Sequence, residues 1–410
     1  MKPRSTSLLI TAVTAYLLGT HAHATDYTWG GGNGNWNAIN WNPAGGGAAV
    51  VGTTVTGGTN TATISGAVTV EGNWKTFGNL GTLTVSSGAK LNFYNYYPAG
   101  TATDQTINNL VLAGGTITAS YNTGNFGASY IRRVTVTGTS TSTISSGTDP
   151  NGYFNLRDIT DGSVSPFFDV QDAAGILNVT ARLADRAATT TTWTATGFEK
   201  KGAGTMTLSN TNTYTGATTV TAGKLVINGN SSTSTLTTVK TTGTLGGSGF
   251  AGAVTVESGG TLAPGNSIDQ FDTKTLTLAA GSIFQVEIDS ASSYDQIGIT
   301  GNLNLTSGAK LDLVDLGSPD LIALYSRLTI MDYSGTWNSG LFTLGTEELS
   351  DSETFAWQSK TWRINYDDTL GVGETSLSSG GTAVTLTVVP EPRAALLGGL
   401  GLLALLRRRR

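Results

Sequence analysis

Gly252-Ala-Val254-Thr-Val256-Glu-Ser258-Gly259-Gly-Thr-Leu262 holds a strand, a turn and the start of the next strand. Apolar residues fall two and four positions after the first glycine, with threonine between them and glutamate beyond. That period-2 alternation puts valine on one face of a strand and hydroxyls on the other. Ser258-Gly259 supplies the turn, because glycine takes a positive φ at no steric cost. Leu262 then opens a second strand. The same pattern recurs as Gly81-Thr-Leu83-Thr-Val85-Ser-Ser87-Gly88-Ala-Lys-Leu91 and as Gly301-Asn-Leu303-Asn-Leu305-Thr-Ser307-Gly308-Ala-Lys-Leu311. Shorter versions start at Gly66 (GAVTVEG) and at Gly216. One such unit is too small to bury its own apolar face, but stacked units bury a continuous column. The expected fold is therefore all-β, with a parallel β-helix or β-solenoid body of rungs ~4.8 Å apart. A set of β-sandwich domains would also show frequent turn signals. The chain has few clear linkers to separate such domains, which favours the stack.

The composition agrees with that reading. Gly 55 in 410 residues and only 12% charged residues describe a turn-rich chain poor in helix formers. Its 38% hydrophobic content is too high for simple disorder. Lys2, Arg4, Arg393 and Arg407 to Arg410 are seven of the 23 basic residues, and Glu391 is one of the 28 acids. Residues 25–389 thus carry 16 basic against 27 acidic residues, a net charge of −11. An acidic body argues against nucleic acid as a partner. There is no cysteine, and both histidines, His21 and His23, lie near the start. Removal of a leader would leave a body without thiolate or imidazole, which excludes Ser-His-Asp triads, Cys-His pairs and His-bound zinc.

Residues 198–229 resemble a known repeat. The blocks are Phe198-Glu-Lys200-Lys-Gly202-Ala-Gly204-Thr-Met-Thr-Leu208, then Asn212-Thr-Tyr214-Thr-Gly216, then Ala222-Gly223-Lys-Leu225. They are similar to the autotransporter-associated β-strand repeat, with Met206 in place of its usual leucine. Gly260-Thr-Leu-Ala-Pro-Gly265-Asn-Ser267 and Tyr294-Asp295-Gln-Ile297-Gly extend the similarity to about residue 315. The resemblance implies a parallel β-helix displayed outside the cell. No stretch resembles the translocating barrel of autotransporters, so another export route is expected.

The two ends read as addresses. Lys2 and Arg4, the apolar run Leu8 to Leu18, and Ala22-His23-Ala24 form a secretory signal peptide with cleavage before Thr25. At the other end, Pro390-Glu391-Pro392 precedes an apolar run from Ala394 to Leu406 and the cluster Arg407, Arg408, Arg409 and Arg410. Thirteen helical residues reach about 20 Å, short of a ~30 Å hydrocarbon core. Snorkelling arginines make up part of that difference, and by the positive-inside rule they stay cytoplasmic. Residues 389–410 resemble the PEP-CTERM sorting tail of Gram-negative bacteria. That resemblance implies an exosortase-type membrane protease as partner, transient anchoring in the inner membrane, and release to the cell surface or medium. Exopolysaccharide or other matrix components are the further partners expected.

The resulting division is a signal peptide at 1–24, an N-terminal solenoid region with a Trp-rich cap at 25–192, and a solenoid carrying the repeat at 193–319. A β-rich C-terminal cap follows at 320–388, then the sorting tail at 389–410. Trp29, Trp36 and Trp41 near one end, and Trp337, Trp357, Trp362 and Tyr366 near the other, are expected to plug the core. Stacking on sugar rings is their alternative use. Catalysis would need converging carboxylates. The densest candidates are Asp149, Asp158, Asp161, Asp169, Asp172 and Asp185 with Arg157, Arg182 and Arg186, followed by the pair Asp367-Asp368. Neighbours on a strand point to opposite faces, so that pair need not converge. The same acidic region is a candidate for weak calcium binding. No catalytic, cofactor or metal residue is assigned. The expected role is an exported structural or adhesive protein; the alternative is a carbohydrate-binding or polysaccharide-cleaving one.

Overall fold

The structure is a computed structural model. It describes residues 26–29, 34–35, 41–43, 61–73, 81–94, 105–107, 109–120, 129–146, 152–156, 166–185, 195–317, 322–369 and 381–391. The expected signal and membrane helices lie outside these residues. Among the described residues the chain is all-β, with 36 strands and no helix.

The alternation seen in the sequence becomes alternation of burial. In Thr82–Ser86 the residues Leu83 and Val85 are buried, while the residues between them are half exposed. Ile283–Ser290 does the same over eight residues. The predicted turns form at the expected glycines, since Gly88, Gly259 and Gly308 all have positive φ, of 80°, 78° and 95°. Each turn is closed by a backbone hydrogen bond: Ala89 N to Ser86 O, Gly260 N to Glu257 O, and Ala309 N to Thr306 O. Gly281, at φ 76°, makes a fourth such turn after Ala280 rather than after serine.

Pairing between successive strands is mostly parallel. Thr219 lies beside Thr238, Thr238 beside Thr255, Thr255 beside Thr277, and Thr277 beside Asn304. The offsets along this ladder run from 17 to 27 residues. The longest steps accommodate extra chain such as the short antiparallel excursion of Ser293–Tyr294 against Ile283–Ser290.

In-register pairing turns the buried positions into columns. One runs Ala62, Leu83, Leu110, Val134, Phe168, Lys200, Val220, Val239, Val256, Leu278, Leu305. Every member is buried and every member but Lys200 is apolar. A second runs Leu177, Met206, Leu225, Leu245, Leu262, Phe284, Leu311. Burial of each such side chain contributes roughly 1.5–3 kcal/mol. Where strands come closest, only glycine fits: a Cβ on Gly197 would lie 1.6 Å from the Ala217 carbonyl oxygen. A separate four-stranded sheet joins Gln105–Ile107, Ser129–Ile131, Tyr153–Leu156 and Arg182–Asp185.

Pairing changes sense toward the C-terminus. Arg327–Tyr333 is parallel to Gln296–Ile299 on one side and antiparallel to Ala383–Val389 on the other. Ala383–Val389 in turn pairs antiparallel with Lys360–Asp368. Tyr366 stacks on Trp337 at 5.0 Å and on Phe342 at 6.1 Å, and Phe342 stacks on Phe284 of the apolar column. Trp362 is fully buried, with Trp357 edge-on to it. At the other end Trp29 lies opposite Trp41 in an antiparallel pair, and Trp36 lies outside the described residues.

Candidate functional site

The Pro-Glu-Pro segment begins where the last described strand stops. Pro390 and Glu391 directly follow Ala383–Val389, with Pro390 half buried and Glu391 exposed. Proline cannot extend the ladder because it has no N–H to donate. Pro392 and Arg407 to Arg410 lie outside the described residues, as do Ala22, Ala24 and Thr25. No helix among the described residues is long and apolar enough to cross a membrane.

The described members of the acidic region do not converge. Asp149, Asp158, Asp161, Arg157 and Arg186 lie outside the described residues. Asp169 sits half exposed on Phe167–Val170 and accepts a hydrogen bond from Gln171 Nε2. Asp172 caps a turn by accepting from Ala174 N at 2.9 Å. Asp185 is buried at the end of the separate four-stranded sheet. It accepts from Thr196 N, Thr215 N and the Thr215 hydroxyl, the last at 2.7 Å. Arg182 lies over the Tyr153 ring, 4.7 Å from its centre. Each of these groups has a local structural partner, and no cluster of three or more acidic residues among the described residues could hold a metal.

The Asp367-Asp368 pair divides as alternation requires. Asp368 is fully buried and takes Arg327 Nη1 at 3.0 Å and the Thr385 hydroxyl at 2.8 Å. Asp367 is only half buried. Asp368 therefore pins three strands of the antiparallel segment together.

Two ionisable groups are buried with nothing in the sequence to signal that burial. Lys200 interrupts the apolar column, and its Nζ donates to the carbonyls of Lys201, Gly202 and Ala222 at 2.7, 2.9 and 3.1 Å. Burial pushes its pKa down to about 8, partly opposed by the charge of Asp169. Asp295 accepts from the amides of Glu287 and Asp269 at 2.9 and 3.1 Å. Burial pushes its carboxyl up to about 7; those amide bonds oppose the rise and the charges of Glu287 and Asp269 add to it. Lys200 was legible only as part of the repeat's opening block, and Asp295 only as a motif letter.

The outer surface is dominated by hydroxyls and amides in register. Glu199, Thr219, Thr238, Thr255, Thr277 and Asn304 form one half-exposed column across six strands. Spaced at ~4.8 Å, they make a flat, hydrogen-bonding strip. A shallow cavity of about 260 Å³ lies nearby, lined by Gln270, Tyr294, Gln296, Gly298 and Asp332 among others.

Residues 198–227 match the passenger-associated transport repeat. The match covers the strands Phe198–Lys201 and Thr205–Leu208 and the whole of the parallel partner that follows them, Thr218–Ile227. The chain is also similar to the BmaC autotransporter adhesin of Brucella suis biovar 1 (strain 1330), with 32% identity over 202 residues. That alignment takes in 46% of this chain and 6% of the adhesin's length. In the repeat, the Lys-x-Gly opening places Lys200 under the carbonyls of Gly202 and Ala222, and Tyr214 bonds the Thr218 hydroxyl at 3.0 Å. The repeat's buried polar atoms bond both within it and to the neighbouring strands, since Asn212 accepts from Leu183 N and donates to Ser231 Oγ.

Proposed function

We propose that the chain is an exported surface protein whose body is a parallel β-helix that acts by adhesion. The observation that carries this reading is the repeat at 198–227, set in columns that continue above and below it. The similarity to an adhesin's passenger-type sequence supports surface display and an adhesive rather than catalytic role. Parallel offsets of 17 to 27 residues support successive coils. In this reading residues 25–192 and 193–319 form the coiled body. Residues 320–388 form its cap, closing an edge that would otherwise template pairing with another chain. The acidic, Thr-rich strips supply the contact surface, with matrix polysaccharide or protein as partner.

Sorting belongs to the same proposal. Pro390-Glu391-Pro392 would be presented to an exosortase-type membrane protease while the segment after it is held in the inner membrane. The exposure of Glu391 just past the last strand supports that presentation. Two experiments test the reading. Deletion of the gene in the native host should reduce attachment of cells to surfaces, with restoration by the full chain. Mass spectrometry of surface material should find a start near Thr25 and no Arg407–Arg410. Unchanged attachment would remove the adhesive role, and an intact tail on surface material would remove the sorting step.

A further inference from the structure

The strand pairings at the C-terminal part of the parallel ladder build a polar notch. Phe250 lies beside Asp272, Asp272 beside Gly298, and Gly298 beside Asp332. Two positions back, Gln270 lies beside Gln296. Their strand neighbours Phe271, Ile297 and Met331 are buried, so this set faces outward. Gly298 supplies no side chain, and Asp272 leans into the space that leaves. A Cβ placed on Gly298 would lie 2.3 Å from Asp272 Oδ1 and 3.0 Å from Gln270 Nε2. Tyr294 forms one wall, held by the Thr329 amide, which donates to its hydroxyl at 3.1 Å. The cavity of about 260 Å³ is lined by Gln270, Tyr294, Gln296, Gly298 and Asp332 among others, and Asp272 borders it through its hydrogen bond with Gln270.

The chemistry of the lining selects a ligand. Gln270 Nε2 donates to Asp272 Oδ1 at 2.7 Å, an amide and a carboxylate side by side. Gln296 and Asp332 engage no other side chain among the described residues. Amides beside carboxylates offer donors and acceptors together, as a sugar hydroxyl requires, because it donates and accepts at once. Asp332 in the lining and Asp272 beside it repel an anionic ligand. The volume lies just below the ~300–1,000 Å³ of pockets for drug-sized ligands, the scale of one sugar unit. Phe250, half exposed, presents an apolar ring two strands from Gly298, about 10 Å away at the ladder spacing. An aromatic ring flanking a hydroxyl-binding notch suits the apolar face of a following sugar.

We propose that this notch binds a neutral saccharide chain, with one pyranose in the cavity against Gln270, Gln296 and Asp332 and the following units reaching past Asp272 toward Phe250. The proposal goes beyond the adhesive reading and stands on the notch alone. The test uses the purified full chain and saturation-transfer NMR with millimolar maltose, cellobiose, lactose and digalacturonate. At least one neutral disaccharide should bind, and digalacturonate should not. Gly298→Leu should abolish the signal by filling the notch; the groups it displaces are mobile side-chain ends. The paired truncation Gln296→Ala with Asp332→Ala should weaken binding about tenfold while leaving the melting temperature unchanged, since both side chains are free of structural partners. Binding equal to wild type in both variants overturns the proposal. So does binding of none of the neutral probes, a preference for digalacturonate, or binding that requires added calcium. Loss of cell attachment on gene deletion is a separate result, so failure here leaves the adhesive reading standing.

Discussion

Lys200 occupies a column position that its neighbours Phe168 and Val220 fill with hydrophobic side chains. Its ammonium satisfies three carbonyls at the turn, but at a desolvation cost that appears as a pKa near 8. Between about pH 8 and the ordinary lysine value of 10.5, the folded state binds fewer protons than the unfolded state, so stability rises with pH. Below about 8 both states are protonated and the burial cost is fully present. Relative to Lys200→Met, the wild type should gain up to about 3 kcal/mol over that window, read by urea unfolding at each pH. Asp295 acts in the opposite sense. Its folded pKa near 7 lies above the ordinary 3.8, so the folded state holds the extra proton and stability falls as pH rises between those values. Asp295→Asn keeps the site neutral, and its melting temperature should show less decline from pH 4 to pH 7 than the wild type's. A decline as steep as the wild type's would remove Asp295 as the cause. Neither residue was legible from sequence, because burial of a charged side chain depends on which strands close over it.

At the scale of single elements, the repeating unit was read directly. Positive φ at Gly88, Gly259 and Gly308 follows from Ser-Gly after an alternating strand. The antiparallel segment was less legible: its strands carry the same alternation, and nothing local says which way a partner runs. Side-chain packing decides it. Tyr366 accepts from Phe342 N and donates to Leu349 O, both at 2.9 Å, and stacks on Trp337. Tyr366→Phe should lose about 1–3 kcal/mol, because it leaves a buried amide and carbonyl without their partner. Trp362→Ala should cost about 3–5 kcal/mol through the cavity it opens. Equal, small losses in both variants would mean that this aromatic set does not hold the segment together. The saccharide notch was illegible for another reason: Gln270, Gln296 and Asp332 lie on three strands, and only the register unites them.

At the scale of the whole molecule, a parallel β ladder, a passenger-associated transport repeat and a hydroxyl-rich outward column belong to one chain, for which surface display is proposed. The absence of cysteine gives a clean way to ask where the body resides. Thr255 lies half exposed in the outward column, so Thr255→Cys introduces the chain's one thiol at the proposed contact strip. The decisive measurement is labelling of that variant in intact cells of the native host with a membrane-impermeant maleimide. Intact cells should label as strongly as lysed cells. Labelling only after lysis would contradict surface display.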